Sequence, residues 1–77
     1  MIDKQNIVSV LHELFDVPFT VADDQDLREY MHDSIDVGEY IAVMHDRYSI
    51  ELKLRDFESV YTLEELIQIT NKNHETL

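Results

Sequence analysis

The chain has 77 residues, no cysteine, and seventeen Asp and Glu against six Lys and Arg, giving a formal charge of -11. So short a chain has room for one small core but not for a deep substrate cleft beside it, which disfavours a self-sufficient enzyme. Without Cys there is no disulfide, thiolate nucleophile or Cys-ligated zinc. The acidic balance disfavours nucleic acid and anionic membranes as partners and favours basic protein surfaces.

A single Gly and a single Pro argue against disorder and against a turn-rich β fold. The longest apolar run, Tyr40 to Met44, is far too short to span a bilayer. The first residues, Met1-Ile2-Asp3-Lys4-Gln5, lack the layout of a signal peptide. The expectation is one soluble, cytoplasmic, monomeric domain over residues 1–77.

In chain order, Ile7, Leu11 and Leu14 recur at helical spacing with Val8 and Phe15 beside them. They predict a helix from about Lys4 to Phe15, with Asp3 as N-cap and a stop near Asp16 imposed by Pro18. A long connection follows, from Asp16 to Asp33, pinned to the helices by Val17, Phe19, Val21, Leu27 and Tyr30. Its Asp23-Asp24-Gln25-Asp26 run invites a calcium reading, which needs Gly at the sixth loop position and Glu at the twelfth. Counted from Asp23 those positions hold Arg28 and Ser34; counted from Asp24 they hold Glu29 and Ile35. A solvated acidic loop fits better, and no metal site is expected.

The second helix is predicted from Ser34 or Ile35 to Tyr48. Val37, Ile41, Met44 and Tyr48 form an apolar stripe, flanked by Tyr40. The opposite face carries Ile35, Gly38, Ala42 and His45, bordered by Glu39 and Asp46. Its start, His32-Asp33-Ser34-Ile35-Asp36, is the junction on which the chain turns. Asp and Ser side chains both accept hydrogen bonds from first-turn N–H groups that lack helical partners. Ser34 therefore has two readings, a helix cap only or a surface attachment point within reach of another protein.

Ser49 to Lys53 reads as extended or loop, with Ile50 and Leu52 apolar, and Leu54 to Ser59 as a short helical turn placing Phe57 and Val60 inward. Thr62-Leu63-Glu64-Glu65 is a capping box for a last helix ending near Asn71, with Leu63, Leu66, Ile67 and Thr70 on one face and frayed residues from Lys72. The fold class is all-α: a small antiparallel four-helix bundle of three main helices and one short helix, with a long loop between helices 1 and 2.

Catalytic residues are not expected. His32 lies near Ser34, but no third group orients it and no oxyanion hole is indicated. His12, His32, His45 and His74 give no pair at zinc-binding helical spacing.

With these residues in view, the chain resembles the acyl carrier proteins and their peptidyl-carrier relatives over nearly its whole length. Asp33-Ser34-Ile35-Asp36 is similar to the family's Asp-Ser-Leu/Ile signature at the start of the second helix. Tyr48 to Leu52 is similar to its aromatic-x-Ile-x-apolar run, and Asp56 to Leu63 to the stretch entering the last helix. The resemblance implies phosphopantetheine joined to Ser34 through a phosphodiester by a phosphopantetheinyl transferase, with acyl intermediates held as thioesters on its thiol. It also implies that Asp33, Asp36, Glu39 and Asp46 meet Arg and Lys on basic docking surfaces of that transferase and of acyl-processing enzymes, as in fatty acid or polyketide biosynthesis. Ile35 would supply an apolar contact beside them.

Met31 stands where the family usually has Gly, and Gly38 and Ala42 where larger apolar residues are common. These departures imply a specialised carrier with its own partners. A competing reading of another class is an acidic helical adaptor that binds basic proteins without a prosthetic group. Replacing Ser34 separates the two, because the adaptor does not need its hydroxyl.

Overall fold

The structure is a computed structural model that describes residues 2–75. Three α-helices, α1 (Lys4–Phe15), α2 (Ser34–Tyr48) and α3 (Leu63–Glu75), are joined by segments that include two 3-10 turns, Leu27–Glu29 and Leu54–Phe57. The residues expected to form the short helix thus make the second of these turns. Among the described residues the only β pairing is an isolated antiparallel bridge between Asp26 and Thr62.

Helix α1 forms because Ile7, Val8 and Leu11 share one face, and all three are buried. Asp3 sits at its N-cap, but the Asp3 side chain accepts no capping hydrogen bond. Its backbone carbonyl accepts from Asn6 and Ile7 instead. Asp16 ends the helix in the left-handed conformation (φ 60°), its N–H donating to the His12 carbonyl. Ser49 closes α2 in the same way at φ 57°. Left-handed backbone at a non-Gly residue costs about 1 kcal/mol, and here the closing hydrogen bonds offset it.

The expected capping box starts α3. The Glu65 N–H donates to Thr62 Oγ1 at 3.2 Å, and Glu65 Oε1 accepts from the Thr62 and Tyr61 N–H groups at 3.0 and 3.1 Å. The helix does not end near Asn71, nor is it frayed from Lys72; it continues to Glu75. Asn71 does not cap the helix because its side chain is engaged sideways with Ile2. Asn71 Oδ1 accepts the Ile2 N–H at 2.6 Å and Nδ2 donates to the Ile2 carbonyl at 3.2 Å. The final expected frayed residues, 76 and 77, lie outside the described range.

The core draws on every element: Ile7 and Leu11 from α1, Tyr40 and Met44 from α2, Leu63 and Leu66 from α3, and Val17, Leu27, Ile50 and Leu52 from the connections. Full burial of each aliphatic side chain contributes roughly 1.5–3 kcal/mol before entropy is counted. Tyr40, expected at the flank of the α2 stripe, is at its centre, fully buried together with Met44, while Val37, Ile41 and Tyr48 are only half-buried. The helix is rotated toward Tyr40 because that ring meets Phe57 edge-on, with centroids 6.0 Å apart, and its hydroxyl meets Thr70.

The long connection is held by backbone as well as by apolar contacts. The Leu63 and Glu64 N–H groups donate to the Gln25 and Asp23 carbonyls, and the Leu27 N–H donates to the Tyr61 carbonyl. First-turn donors of α3 that lack helical partners are thereby satisfied by the loop. Val17, Val21 and Leu27 are buried as expected, but Phe19 is 63% exposed and stacks on His12 with ring centroids 4.1 Å apart. The loop carboxylates are not merely solvated, since Asp23 pairs with Lys4 and Asp26 with Arg28.

Candidate functional site at the start of the second helix

Asp33 takes an extended conformation (φ -150°) and begins α2 as its N-cap. Its Oδ1 accepts the Ile35 N–H at 2.9 Å and the Asp36 N–H at 3.1 Å. Three residues on, Asp36 reaches back, and its Oδ2 accepts the His32 N–H at 2.8 Å. This is a capping box whose return bond falls one residue earlier than usual. The His32 ring extends the same brace. Its Nε2 lies 2.7 Å from the Glu29 carbonyl, which can only accept, so Nε2 carries the proton. Glu29 thus supplies an orienting partner for His32 that sequence reasoning had not found.

Ser34 is the first residue of α2, enclosed by these bonds yet exposed. Among the described residues no hydrogen bond engages its hydroxyl. The cap of α2 is the Asp33 carboxylate, which leaves the Ser34 oxygen available for chemistry. No side chain among the described residues is hydrogen-bonded to it as a base: the Nε2–H of His32 is donated to Glu29, and His32 Nδ1, the ring nitrogen able to take a proton, makes no hydrogen bond to Ser34.

The expected docking residues separate into two groups. Ile35, Glu39 and Asp46 recur at i, i+4 and i+11 and therefore share one face of α2. All three are exposed, Ile35 by 70%. Ala42 is exposed on this face too. Asp33 and Asp36 stand at the end of the helix, each with one carboxylate oxygen committed to backbone N–H groups. Acidic charge at that end also complements the helix dipole.

A cleft of about 200 Å³ opens beside the junction. Leu27, Met31, Val37, Phe57, Val60 and Leu66 line it, together with Arg28, His32, Asp33 and Tyr61. Arg28 is held in place from two sides. Its Nε and Nη2 bond the Asp26 carboxylate at 2.6–3.1 Å, and its guanidinium lies 4.5 Å from the Tyr61 ring centroid. That pairing draws the Asp26 carboxyl down from 3.8 to about 2, mainly through the Arg28 side chain and then through the Arg28 N–H. Sequence reasoning had assigned Leu27 to the loop, Val37 and Leu66 to helix faces and Phe57 and Val60 to a short turn without joining them, and the cleft exists because Phe57 and Val60 approach from a segment thirty residues away. Arg28 carried no signal in the sequence, because its pairing with Asp26 depends on the 3-10 turn that begins there.

Among the described residues no group of three or more His, Asp or Glu is arranged to hold a metal. Among the same residues no helix is long and apolar enough to cross a membrane. The family model described as a phosphopantetheine attachment site matches residues 5–69, which takes in parts of all three helices and the whole junction. No curated protein and no solved structure matches the chain.

Proposed function

We propose, from the premise that this chain belongs to the phosphopantetheine attachment family and so bears that group covalently, that Ser34 is the attachment site and that the chain is a carrier of acyl intermediates. Carrier domains of this family are typically not catalysts themselves. When bound, the group supplies a terminal thiol on which acyl units ride as thioesters, a role no residue of a cysteine-free chain can take.

The observation that carries the assignment is the state of Ser34. It is exposed, fixed in the first turn of a helix, and free of the capping duty that Asp33 performs. Ser34 presents the hydroxyl, and the transferase supplies the base. Ile35, Glu39 and Asp46 form the adjoining face to which the transferase and acyl-processing enzymes dock, with Asp33 extending its charge to the attachment point and Asp36 adding charge toward the acyl-processing enzymes. An acidic strip of this kind steers basic partners and weakens with salt.

Intact mass after incubation with coenzyme A and a broad-specificity phosphopantetheinyl transferase tests the reading. One phosphopantetheine should be added to the parent and none to Ser34→Ala. Loss of a side chain that caps nothing should leave the fold unchanged by circular dichroism. Equal modification of Ser34→Ala would refute the assignment.

A further inference from the structure

We infer that Asp36 is a positioning residue for Ser34, acting in the loading reaction through its hydrogen bond to the His32 N–H rather than through its charge. This rests on the reading of Ser34 as the attachment site.

Ser34 lies within a five-residue segment whose two ends are tied to each other. Asp36 Oδ2 accepts from His32 at 2.8 Å, and Asp33 Oδ1 accepts from Ile35 and Asp36 at 2.9 and 3.1 Å. The first bond crosses Ser34 from the C-terminal side, and the other two cross it from the N-terminal side. The Val37 N–H adds a bond to the Asp33 carbonyl at 3.3 Å, and His32 Nε2 ties the segment to Glu29 at 2.7 Å. None of these bonds, and no other hydrogen bond among the described residues, engages the Ser34 side chain. The direction of its Cα–Cβ bond is therefore set by the backbone alone.

The same device occurs twice more. Asp56 Oδ2 accepts the Lys53 N–H at 2.9 Å across the start of the second 3-10 turn, and Glu65 accepts from Thr62 across the start of α3. At those places it only starts a turn or a helix. At the α2 junction the enclosed residue is the one that must meet a transferase. An exposed nucleophile free to wander reduces the fraction of productive encounters, and fixing it raises the rate of the transfer step itself. Asp36 then differs from Glu39 and Asp46, whose exposed carboxylates make no hydrogen bond in the junction. The acceptor oxygen is the functional part of Asp36, and an uncharged amide oxygen at the same place should serve.

The test compares transferase kinetics for the parent, Asp36→Ala, Asp36→Asn and the pair Glu39→Gln with Asp46→Asn. Asp36→Ala should lower kcat/KM about tenfold, the equivalent of one lost hydrogen bond, with the loss in kcat and insensitive to salt. Asp36→Asn should restore the rate to within about threefold, because Asn Oδ1 still accepts from His32. The Glu39 and Asp46 pair should raise KM instead, by an amount that shrinks as salt screens the charges. Amide exchange at His32 supplies a readout independent of activity, faster in Asp36→Ala and near the parent's in Asp36→Asn. If Asp36→Asn is as slow as Asp36→Ala, or both act on KM with salt dependence, Asp36 is a docking charge and the inference is overturned. A parent that accepts no phosphopantetheine overturns the Ser34 assignment and the positioning role with it.

Discussion

The Tyr40 hydroxyl lies 2.8 Å from the Thr70 hydroxyl, and both residues are fully buried. This single bond joins the middle of α2 to α3 across the core. Burial raises the Tyr40 phenol far above its ordinary value, against the smaller opposing effect of the Thr70 bond. Tyr40→Phe should destabilise the fold by about 1–2 kcal/mol in urea unfolding, as one donor-acceptor partner is withdrawn. Thr70→Val should cost at least as much, since it leaves the Tyr40 hydroxyl buried without its partner. The double substitution should cost less than the sum, because neither polar group then remains unpaired. Strict additivity would show that the bond contributes nothing specific.

The Asp26 to Arg28 pair gives an acid-side prediction. A carboxyl whose folded value is lowered to about 2 from 3.8 stabilises the fold above its unfolded value, and that contribution is lost as pH falls through the folded one. The loss therefore spans the interval between those two values. Carboxyl NMR of Asp26 should show a midpoint near the lower of them. Arg28→Ala should move the midpoint upward but not fully to 3.8, because the backbone N–H at that position still donates to Asp26 Oδ1 at 2.9 Å. An unmoved midpoint would mean that the guanidinium is not the cause.

What the sequence made legible was local, and what it concealed depended on distant partners. The bounds of α1 and α2 follow from Pro18 and from the Asp33 cap, within a few residues of the affected backbone. The Thr62 and Glu65 box is equally self-contained. The end of α3 was misjudged because Asn71, a common terminator, is recruited by Ile2 from the other end of the chain. Tyr40 was misplaced at the flank of its stripe because Thr70, which satisfies its hydroxyl, belongs to another helix. At the site, periodicity placed Ile35, Glu39 and Asp46 on one face. It could not distinguish those exposed groups from Asp33 and Asp36, whose acceptor bonds appear only once the backbone at the junction is known.

Charge repulsion sets a third expectation. The described residues contain three Lys or Arg ion pairs with carboxylates, all exposed. Exposed pairs contribute little, and three of them leave most of the seventeen acidic residues uncompensated. Raising ionic strength from low to about 0.15 M shortens the screening length to about 8 Å. In a domain of this size each 1 kcal/mol of relief shifts Tm by roughly 4–8 °C. Thermal unfolding should therefore move upward by several degrees with salt, and further with magnesium. A flat Tm across that range would show that the carboxylates are spaced widely enough not to oppose folding.

Gly38 offers a stability gain and a functional probe at one position. It lies within α2, its backbone is not in the left-handed region, and a Cβ built there meets no heavy atom within 4 Å. Ala at such a site restricts the unfolded chain and clashes with nothing. Gly38→Ala should raise stability by about 0.5–1 kcal/mol. The residue also sits between Ile35 and Ala42 on the proposed docking face, where small side chains leave a shallow place beside an apolar one. A partner that uses this depression should tolerate Ala and be obstructed by Leu. Gly38→Leu, folded by circular dichroism, should then bind the native partner more weakly while accepting phosphopantetheine at a rate close to that of Gly38→Ala. Unchanged partner affinity for Gly38→Leu would place the docking contact elsewhere on the helix and leave Gly38 as a position of low helix propensity alone.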